Sequence, residues 1–363
     1  MNLHKIINKL FASNITSLLA VLVILFFFLL AIFSYQIMPD DTPLANNIQL
    51  SIAKKSPGFK ANVLLLKKDT IYNPKSILAK FFLGEQKKYK EIIIDDYHYK
   101  GDTLYYSLYN FKNFHKEKIG LENLYYNKNQ QYVITKTYWL GTDKYGRDLL
   151  SRVILGTRVS FSVGFISVVI SLLIGVFLGM VSGYYGGKLD TLISWLINVV
   201  WSIPTLLLVI AISVVLGKGF WQVFVAVGLT MWVEVARVTR GEVLKIVQMP
   251  YIESVKSFGV PDFNIMWKHI LPNIINPIII ISAANFATSI LLESGLSFLG
   301  IGVQPPIPSW GMIIRNHYGF IIMDKLYLAL IPGLCIVFLV LSFMFLGNRL
   351  RDLFDEKSKK ESN

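Results

Sequence analysis

The chain has 363 residues, of which 53% are hydrophobic, whereas soluble globular chains contain about 45–50%. The apolar residues form long runs separated by one polar block, so the sequence predicts an all-α polytopic membrane protein rather than a soluble one. In a soluble protein the net charge of +13 would favour a nucleic-acid partner. No basic stripe with interleaved aromatic residues occurs, so we expect no nucleic acid.

Six apolar runs are close to the ~20 residues that a membrane-crossing helix needs, and they predict six transmembrane helices. The first run follows Lys5 and Lys9 and stays uncharged from Thr16 to Tyr35, which is too long for the core of a signal peptide. We therefore expect an uncleaved first span. The predicted spans cover approximately 14–36, 158–182, 193–216, 219–236, 274–299 and 326–346.

The polar block at 38–138 predicts a small β-containing insert after the first span. Segments of alternating apolar and polar residues flank Lys100-Gly101-Asp102, which is typical of a turn between two strands. The block is rich in lysine and holds most of the chain's 18 tyrosines. Because tyrosine is favoured at interfaces, the block is either a docking surface for a soluble partner or substrate, or a decoration that rests at the membrane.

Small residues recur at every fourth position of the second span, at Gly175, Gly179 and Gly183. This spacing places them on one face of a helix, where another helix can approach closely. The ridge predicts tight packing in a helix bundle and does not identify a transported solute. Pro204 and Pro332 lie inside the third and sixth apolar runs, where they predict bends.

The segment 250–272, between the fourth and fifth spans, predicts two short helices joined by a turn. Gly259 can adopt the left-handed conformation that ends a helix, and Pro261 suits the first turn of the next helix. We expect Pro272 to end that second helix before the fifth span. The residues alone leave two interpretations open: a knob that enters a partner's groove, or an amphipathic hairpin that lies on the membrane.

Two polar residues of the fifth span, Glu293 and Asn285, are candidates for lining a translocation path, because an intramembrane carboxylate or amide is usually functional. For Glu293 an equally good interpretation is a bond to the following loop at Gln304 or Ser309.

Docking candidates lie at the predicted outer mouth. Asp143 and Arg147 belong to a charged, glycine-containing turn before the second span, which either contacts a partner or caps the following helix and pairs internally. Gln304 and Trp310, in the loop after the fifth span, are further docking candidates. No group of side chains has the spacing of a metal site or of a catalytic constellation, so we expect neither.

Lysine and arginine in the short loops predict the orientation of the chain. They gather at the N-terminus, between the fourth and fifth spans and in the tail, and six spans place these segments on the same side, the cytoplasm. Residues 1–37 then form the cytoplasmic N-terminus and first helix, and 349–363 form a cytoplasmic tail. The insert at 38–138 is extracytoplasmic, and 139–348 forms a five-helix core with the loop 250–272 on the inner side.

The loop between the fourth and fifth spans resembles the EAA loop of ABC importer permeases: a Glu, a Gly and an Ile-Leu-Pro sequence match at the family's spacing. Ser254 and Val255 stand where the family has two alanines. In the family this loop forms a coupling helix that sits in a cleft of the ATP-binding subunit. The coupling residues that the resemblance implies are Glu253, Ser254, Gly259, Ile270, Leu271 and Pro272.

Three further segments, 140–160, 183–190 and 293–311, resemble the dipeptide/oligopeptide/nickel permeases in the family's order. The similarity covers about 139–355, and the pattern is that of the second, or "C", permease of the pair. The insert at 38–138 departs from the family's short loop, so the resemblance implies nothing about it.

The resemblance implies a permease of a binding-protein-dependent ABC importer, with di- or oligopeptides as solutes, in the bilayer of the bacterial cytoplasmic membrane. Its implied partners are a second homologous permease, two ATP-binding subunits and an extracytoplasmic solute-binding protein. The sequence contains no phosphate-binding P-loop, so we expect ATP hydrolysis in separate subunits, and neither enzyme activity nor a cofactor in this chain. The alternative hypotheses are an ion-coupled secondary carrier, which needs ionisable residues deep in several spans, and a membrane sensor that uses the insert as its ligand-binding domain.

Overall fold

The computed structural model describes residues 15–68, 76–110, 116–126, 131–217 and 219–361; the predictions for residues 1–14, with Lys5 and Lys9, lie outside these ranges. The helices are α1 (Ile15–Ile32), α2 (Ser34–Ile37), α3 (Ile77–Leu83), α4 (Leu149–Tyr185), α5 (Gly187–Trp201), α6 (Thr205–Leu216), α7 (Phe220–Val247), α8 (Pro250–Ser257), α9 (Asp262–Leu299), α10 (Trp310–His317) and α11 (Tyr327–Glu361). The strands are β1 (Phe59–Lys67), β2 (Tyr89–Lys100), β3 (Thr103–Leu108), β4 (Lys116–Gly120) and β5 (Val133–Tyr138).

The chain divides into two compact units. The membrane unit comprises Met1–Phe28, Val159–Gln304 and Gly333–Asn363, and the insert unit comprises Leu29–Arg158 and Pro305–Pro332. The insert unit is therefore larger than the block at 38–138 that the composition marks.

Five helices in the described ranges, α1, α4, α7, α9 and α11, are long and apolar enough to cross a membrane. The helices α5 and α6 are bent against each other by 92° and count as a sixth span only if the pair is one span. The break interrupts the predicted third span, 193–216, at Pro204, where the sequence predicts a bend. α5 ends at Trp201 because Pro204 lacks an N–H and disfavours helical geometry at Ile203, the residue before it.

The glycine ridge of α4 faces α7. A Cβ built on Gly175 would lie 2.6 Å from the Cβ of Val235, and one on Gly179 would lie 2.6 Å from the Cβ of Thr239. Gly183 meets the next turn of α7 in the same way. These distances are shorter than any side chain allows, so the two helices approach each other almost backbone to backbone.

The insert unit contains a five-stranded antiparallel sheet in the order β4-β3-β2-β1-β5. In its register Val63 of β1 lies opposite Ile93 of β2 and Ile134 of β5. Val63 and its neighbour Leu64 are buried in two different apolar clusters, so both faces of the sheet are covered. The predicted β-containing insert is confirmed, and the predicted turn lies at Gly101, which adopts a φ of +58°.

A buried ionic cluster surrounds Glu91 of β2. The carboxylate of Glu91 is buried and lies 2.6 Å from Lys87 Nζ and 3.8 Å from Lys136 Nζ, while Asn47 Nδ2 donates to it at 2.5 Å. Burial raises the pKa of Glu91, but the two lysines and the hydrogen bonds outweigh this effect and hold the pKa below its usual value. The cluster therefore favours the ionised carboxylate.

Candidate functional site: the 250–272 hairpin and the polar residues of the helices

Residues 250–272 fold as a helical hairpin. α8 begins with Pro250 in its first turn, where the missing N–H costs nothing, and Glu253 lies in the same turn, near the positive end of the helix dipole. The helix stops because Gly259 adopts a φ of +72° and donates its N–H to the carbonyl of Lys256 at 2.9 Å. The chain then reverses, and α9 begins at Asp262.

One side of the hairpin is buried in the membrane unit. Ile252, Ile265 and Ile270 are fully buried and belong to an apolar cluster that includes Val243 and Ile246 of α7. Burying each isoleucine contributes about 1.5–3 kcal/mol, so the hairpin is held firmly against α7.

Polar contacts extend this attachment to other helices. Tyr184 Oη of α4 donates to Asp262 Oδ1 at 2.7 Å, and Lys256 Nζ lies 4.5 Å from the centroid of the Tyr184 ring. Arg240 of α7 binds Asp190 of α5 through two charge-assisted bonds of 2.6 and 2.7 Å. The hairpin is therefore attached to α4 and α7, and α7 is in turn linked to α5.

The other side of the hairpin is exposed. The side chains of Phe258, Phe263 and Trp267 are 86%, 65% and 46% exposed, and the ring centroids of Phe263 and Trp267 lie 5.9 Å apart. Glu253 and Ser254 are exposed on α8. Aromatic side chains grouped on a surface beside polar ones are typical of a protein interface.

Pro272 does not end a helix, and the prediction that it does is wrong. Residues Ile265–Ile270 form a π-helical turn, and α9 continues through Pro272 into the membrane segment. The N–H of Leu271 donates to the carbonyl of Met266, five residues earlier, and this wider turn accommodates a proline that has no N–H to donate. The second helix of the hairpin is thus continuous with the membrane-spanning helix.

Glu293 is fully buried in α9 and bonds within the chain. Ser297 Oγ, one turn further, donates to Glu293 Oε1 at 2.7 Å and accepts the N–H of Val303 at 3.2 Å. The carboxylate is thereby linked to the loop after α9 through Ser297. Gln304 also bonds inside that loop, since its Nε2 donates to the carbonyl of Gly302 at 2.8 Å.

Two more polar residues lie in the membrane helices. Asn285 of α9 is buried, and neither its Oδ1 nor its Nδ2 has a hydrogen-bond partner among the described residues. Glu234, in the middle of α7, is exposed and was not among the predicted site residues. A lone carboxylate inside an apolar run is the sequence signal that identifies such a residue.

The charged turn before α4 pairs internally. Asp143 is fully buried: its Oδ1 accepts the N–H groups of Tyr145 at 2.8 Å and Arg147 at 3.0 Å, and its Oδ2 pairs with the Arg147 guanidinium at 2.6 Å. The indole of Trp310 is fully buried and donates to the carbonyl of Val153 at 2.9 Å. Asp143 and Arg147 thus pair internally in the structure, which is the second of the two interpretations of this turn, and docking at these residues and at Trp310 stays a prediction.

A buried histidine lies next to this turn. His317 Nε2 accepts the N–H of Lys144 at 3.1 Å, and His317 Nδ1 lies 2.7 Å from the carbonyl of Ile313, so the neutral ring donates from Nδ1 and accepts at Nε2. Burial lowers the pKa of His317 and outweighs the bond to Ile313, which raises it. Nearby, Arg147 and Arg152 line a cavity of about 340 Å³ in the insert unit.

Residues 175–360 match the family model described as binding-protein-dependent transport system inner membrane component. The glutathione transport system permease protein GsiD of Pectobacterium atrosepticum is 38% identical over 225 residues, which are 62% of this chain and 74% of the relative. The dipeptide transport system permease protein DppC of Alkalihalophilus pseudofirmus is 36% identical over 222 residues, or 61% and 73% of the two chains. DppC of Bacillus subtilis is 37% identical over 223 residues, or 61% and 70%.

Among solved structures, a chain of the MetNI methionine ABC transporter in an inward-facing conformation is similar to 56% of this chain. The match covers 97% of that chain, at 20% sequence identity and a TM-score of 0.47.

Proposed function

The chain belongs to the family of binding-protein-dependent transport system inner membrane components, and from this premise we propose that it carries di- or oligopeptides into a bacterial cell. It is the membrane-spanning permease subunit of an ABC importer, and the family resemblance found in its sequence is confirmed. The names of its relatives, permeases for glutathione and dipeptides, support a peptide solute. Family membership disfavours the ion-coupled carrier and the membrane sensor.

The complete importer contains further subunits in this proposal. A second, homologous permease forms the translocation path together with this chain, two ATP-binding subunits supply the energy, and an extracytoplasmic binding protein delivers the solute. The absence of a P-loop from the sequence supports the placement of ATP hydrolysis in separate subunits.

The hairpin at 250–272 couples ATP hydrolysis to transport. The observation that carries this proposal is its two-sided construction: Ile252 and Ile270 are buried against the membrane helices, while Phe258 and Glu253 are exposed to a partner. Closure of the ATP-binding subunits displaces the exposed side, and the buried side moves α4 and α7. The two permeases then exchange between inward-facing and outward-facing states, and the binding protein favours the outward-facing one.

The proposed topology follows the charges of the loops. Both termini and the hairpin are cytoplasmic, the bent pair α5–α6 is one span of six, and the insert at 38–138 is extracytoplasmic.

Tyr97 and Tyr99 are exposed on the β2–β3 hairpin of the insert. If the insert docks the binding protein, alanine at both positions reduces uptake while the subunits still assemble; if it is a decoration, uptake is unchanged.

The coupling proposal is tested by reversing a charge on the exposed side of the hairpin. In proteoliposomes that contain the complete importer and its binding protein, Glu253→Lys should lower ATP-driven peptide uptake at least about tenfold, because a like-charge contact at an interface is strongly unfavourable. ATP hydrolysis continues, so the two activities separate. The matched control is Asp352→Lys, which reverses another exposed carboxylate outside the hairpin. Equal uptake by both variants and the unaltered protein would contradict the coupling role.

A further inference from the structure

A carboxylate without a partner lies in the middle of a membrane-crossing helix. Glu234 is about equally far from the two ends of α7, Phe220 and Val247. Within the described part of the chain it forms no hydrogen bond and no ion pair. A charged side chain at this depth is costly and is retained where it contacts a solute, an ion or another polar group.

Glu234 lines a small cavity of the membrane unit. The cavity has a volume of about 90 Å³, and its lining includes Thr230, one turn before Glu234, and Thr288 of α9. The rest of the lining is largely apolar. The space accommodates an ammonium group with a few water molecules.

Two hydroxyl groups of this cavity already use their protons in bonds to backbone carbonyls. Thr230 Oγ1 donates its proton to the carbonyl of Val227 at 2.8 Å, and Thr288 Oγ1 donates to the carbonyl of Ala284 at 3.1 Å. Both hydroxyl oxygens therefore offer only lone pairs to a ligand, and the carboxylate of Glu234 adds two further acceptors. A group with several donors and no acceptor fits this arrangement, and an ammonium group has three donors.

The broken helix pair borders this cavity with two helix ends of opposite partial charge. Trp201, the last residue of α5, and Ile203 line the same cavity. The C-terminal end of α5 carries a partial negative charge, which favours a cation, and the N-terminal end of α6, at Thr205, carries a partial positive one. Interrupted membrane helices contribute solute sites for this reason.

The nearest basic side chain on α7 does not neutralise Glu234. Arg237 lies one turn further along the helix, and its guanidinium is placed over the Trp201 ring, 3.7 Å from the ring centroid. This cation–π contact leaves the Glu234 carboxylate unpaired. A single carboxylate is also a poor metal site, and no group of three metal-ligating side chains occurs within the described ranges.

We propose that Glu234 is a solute-contacting residue that accepts the terminal ammonium group of a peptide during its passage, with the hydroxyl oxygens of Thr230 and Thr288 as additional acceptors. This inference rests on the proposed function, because it specifies which part of a peptide the permease recognises. The competing possibility is that a basic residue of the partner permease pairs with Glu234.

The experiment uses the complete importer with its binding protein in proteoliposomes and two probes, dialanine and N-acetyl-dialanine, which has no ammonium group. Uptake of each probe is measured for the unaltered permease, for Glu234→Gln and for Glu242→Gln. Glu242 is the matched control, since it lies on the same helix outside the cavity and pairs with Lys245 at 2.7 Å. The binding protein contributes equally in all three samples, so differences in the preference between probes arise in the permease.

The proposal predicts that Glu234→Gln reduces the preference for dialanine over N-acetyl-dialanine about tenfold, the size expected for one lost charge-assisted hydrogen bond. Glu242→Gln should keep the preference of the unaltered permease, and Glu234→Asp should keep most of it. An unchanged preference in Glu234→Gln would overturn the proposal. Equal loss of both probes together with loss of the partner permease on purification would also overturn it, in favour of pairing between subunits. If the unaltered importer carries neither probe, the peptide assignment itself fails and this inference fails with it.

Discussion

The packing of α4 on α7 can be tested by filling the space at one glycine of the ridge. In Gly179→Val, the new Cβ would lie 2.6 Å from the carbonyl oxygen of Ala236 and 2.6 Å from the Cβ of Thr239. The first neighbour is backbone and the second is the branch point of a stiff side chain, so neither can rotate away. The two helices must separate, and the contacts along the whole ridge weaken.

The expected loss of stability follows from two opposing effects. Overpacking costs about 1–3 kcal/mol, and a valine at this site belongs at the upper end because it also adds two methyl groups. About 0.5 kcal/mol is recovered because valine forms helices better than glycine. We therefore expect a net loss of about 2 kcal/mol in the free energy of unfolding. The control is Gly241→Val on α7, where nothing lies within 4 Å of the added Cβ.

The assay is reversible unfolding of the purified chain from mild detergent into dodecyl sulfate, followed by circular dichroism. The midpoint of Gly179→Val should fall clearly below that of Gly241→Val. If the free energies of unfolding of the two variants agree to within about 0.5 kcal/mol, the close approach of α4 and α7 is refuted, since a valine has no tight neighbour at the control position.

Three further predictions concern the turn and the titrating groups. Gly259→Val should lower the peptide uptake per ATP hydrolysed, because a β-branched residue disfavours a φ of +72°, whereas Gly259→Asn should stay near the unaltered value. Because the pKa of Glu91 is lowered in the folded state, the insert should lose stability as the pH falls below the ordinary glutamate value of about 4.3, and Glu91→Gln should remove this transition from near-ultraviolet circular dichroism. Because the pKa of His317 is lowered in the folded state, stability should also decline as the pH falls below about 6.5, its unfolded value, and His317→Gln should abolish this part of the pH dependence in thermal melts.

The elements that depend on local sequence were predictable. Apolar runs of spanning length mark the membrane helices, and the alternation around Gly101 marks a hairpin of the insert. The positive φ of Gly259 was predictable because a glycine between two helical segments is the usual residue at such a stop. In each case a few neighbouring residues determine the geometry.

Other features depend on geometry that no local pattern contains. Pro204 signals a bend, but the 92° angle between α5 and α6 depends on the packing of both helices. Pro272 is a helix breaker in isolation. The π-helical turn before it shifts the backbone hydrogen bonds, so that the helix does not need the N–H that proline lacks. The burial of Trp310 results from a contact with Val153, 157 residues away along the chain. Glu234 could have been identified from the sequence alone, because a carboxylate inside an apolar run is recognisable without a structure.

The central claim is that the exposed side of the hairpin docks on an ATP-binding subunit. The most direct measurement is photo-crosslinking from position 258 in cells, with benzoylphenylalanine in place of Phe258, whose side chain is 86% exposed. Position 99, on the exposed surface of the insert, provides the comparison. The account predicts a crosslink from position 258 to the ATP-binding subunit and none to that subunit from position 99. A hairpin that crosslinks only to lipid or to extracytoplasmic proteins would contradict the account.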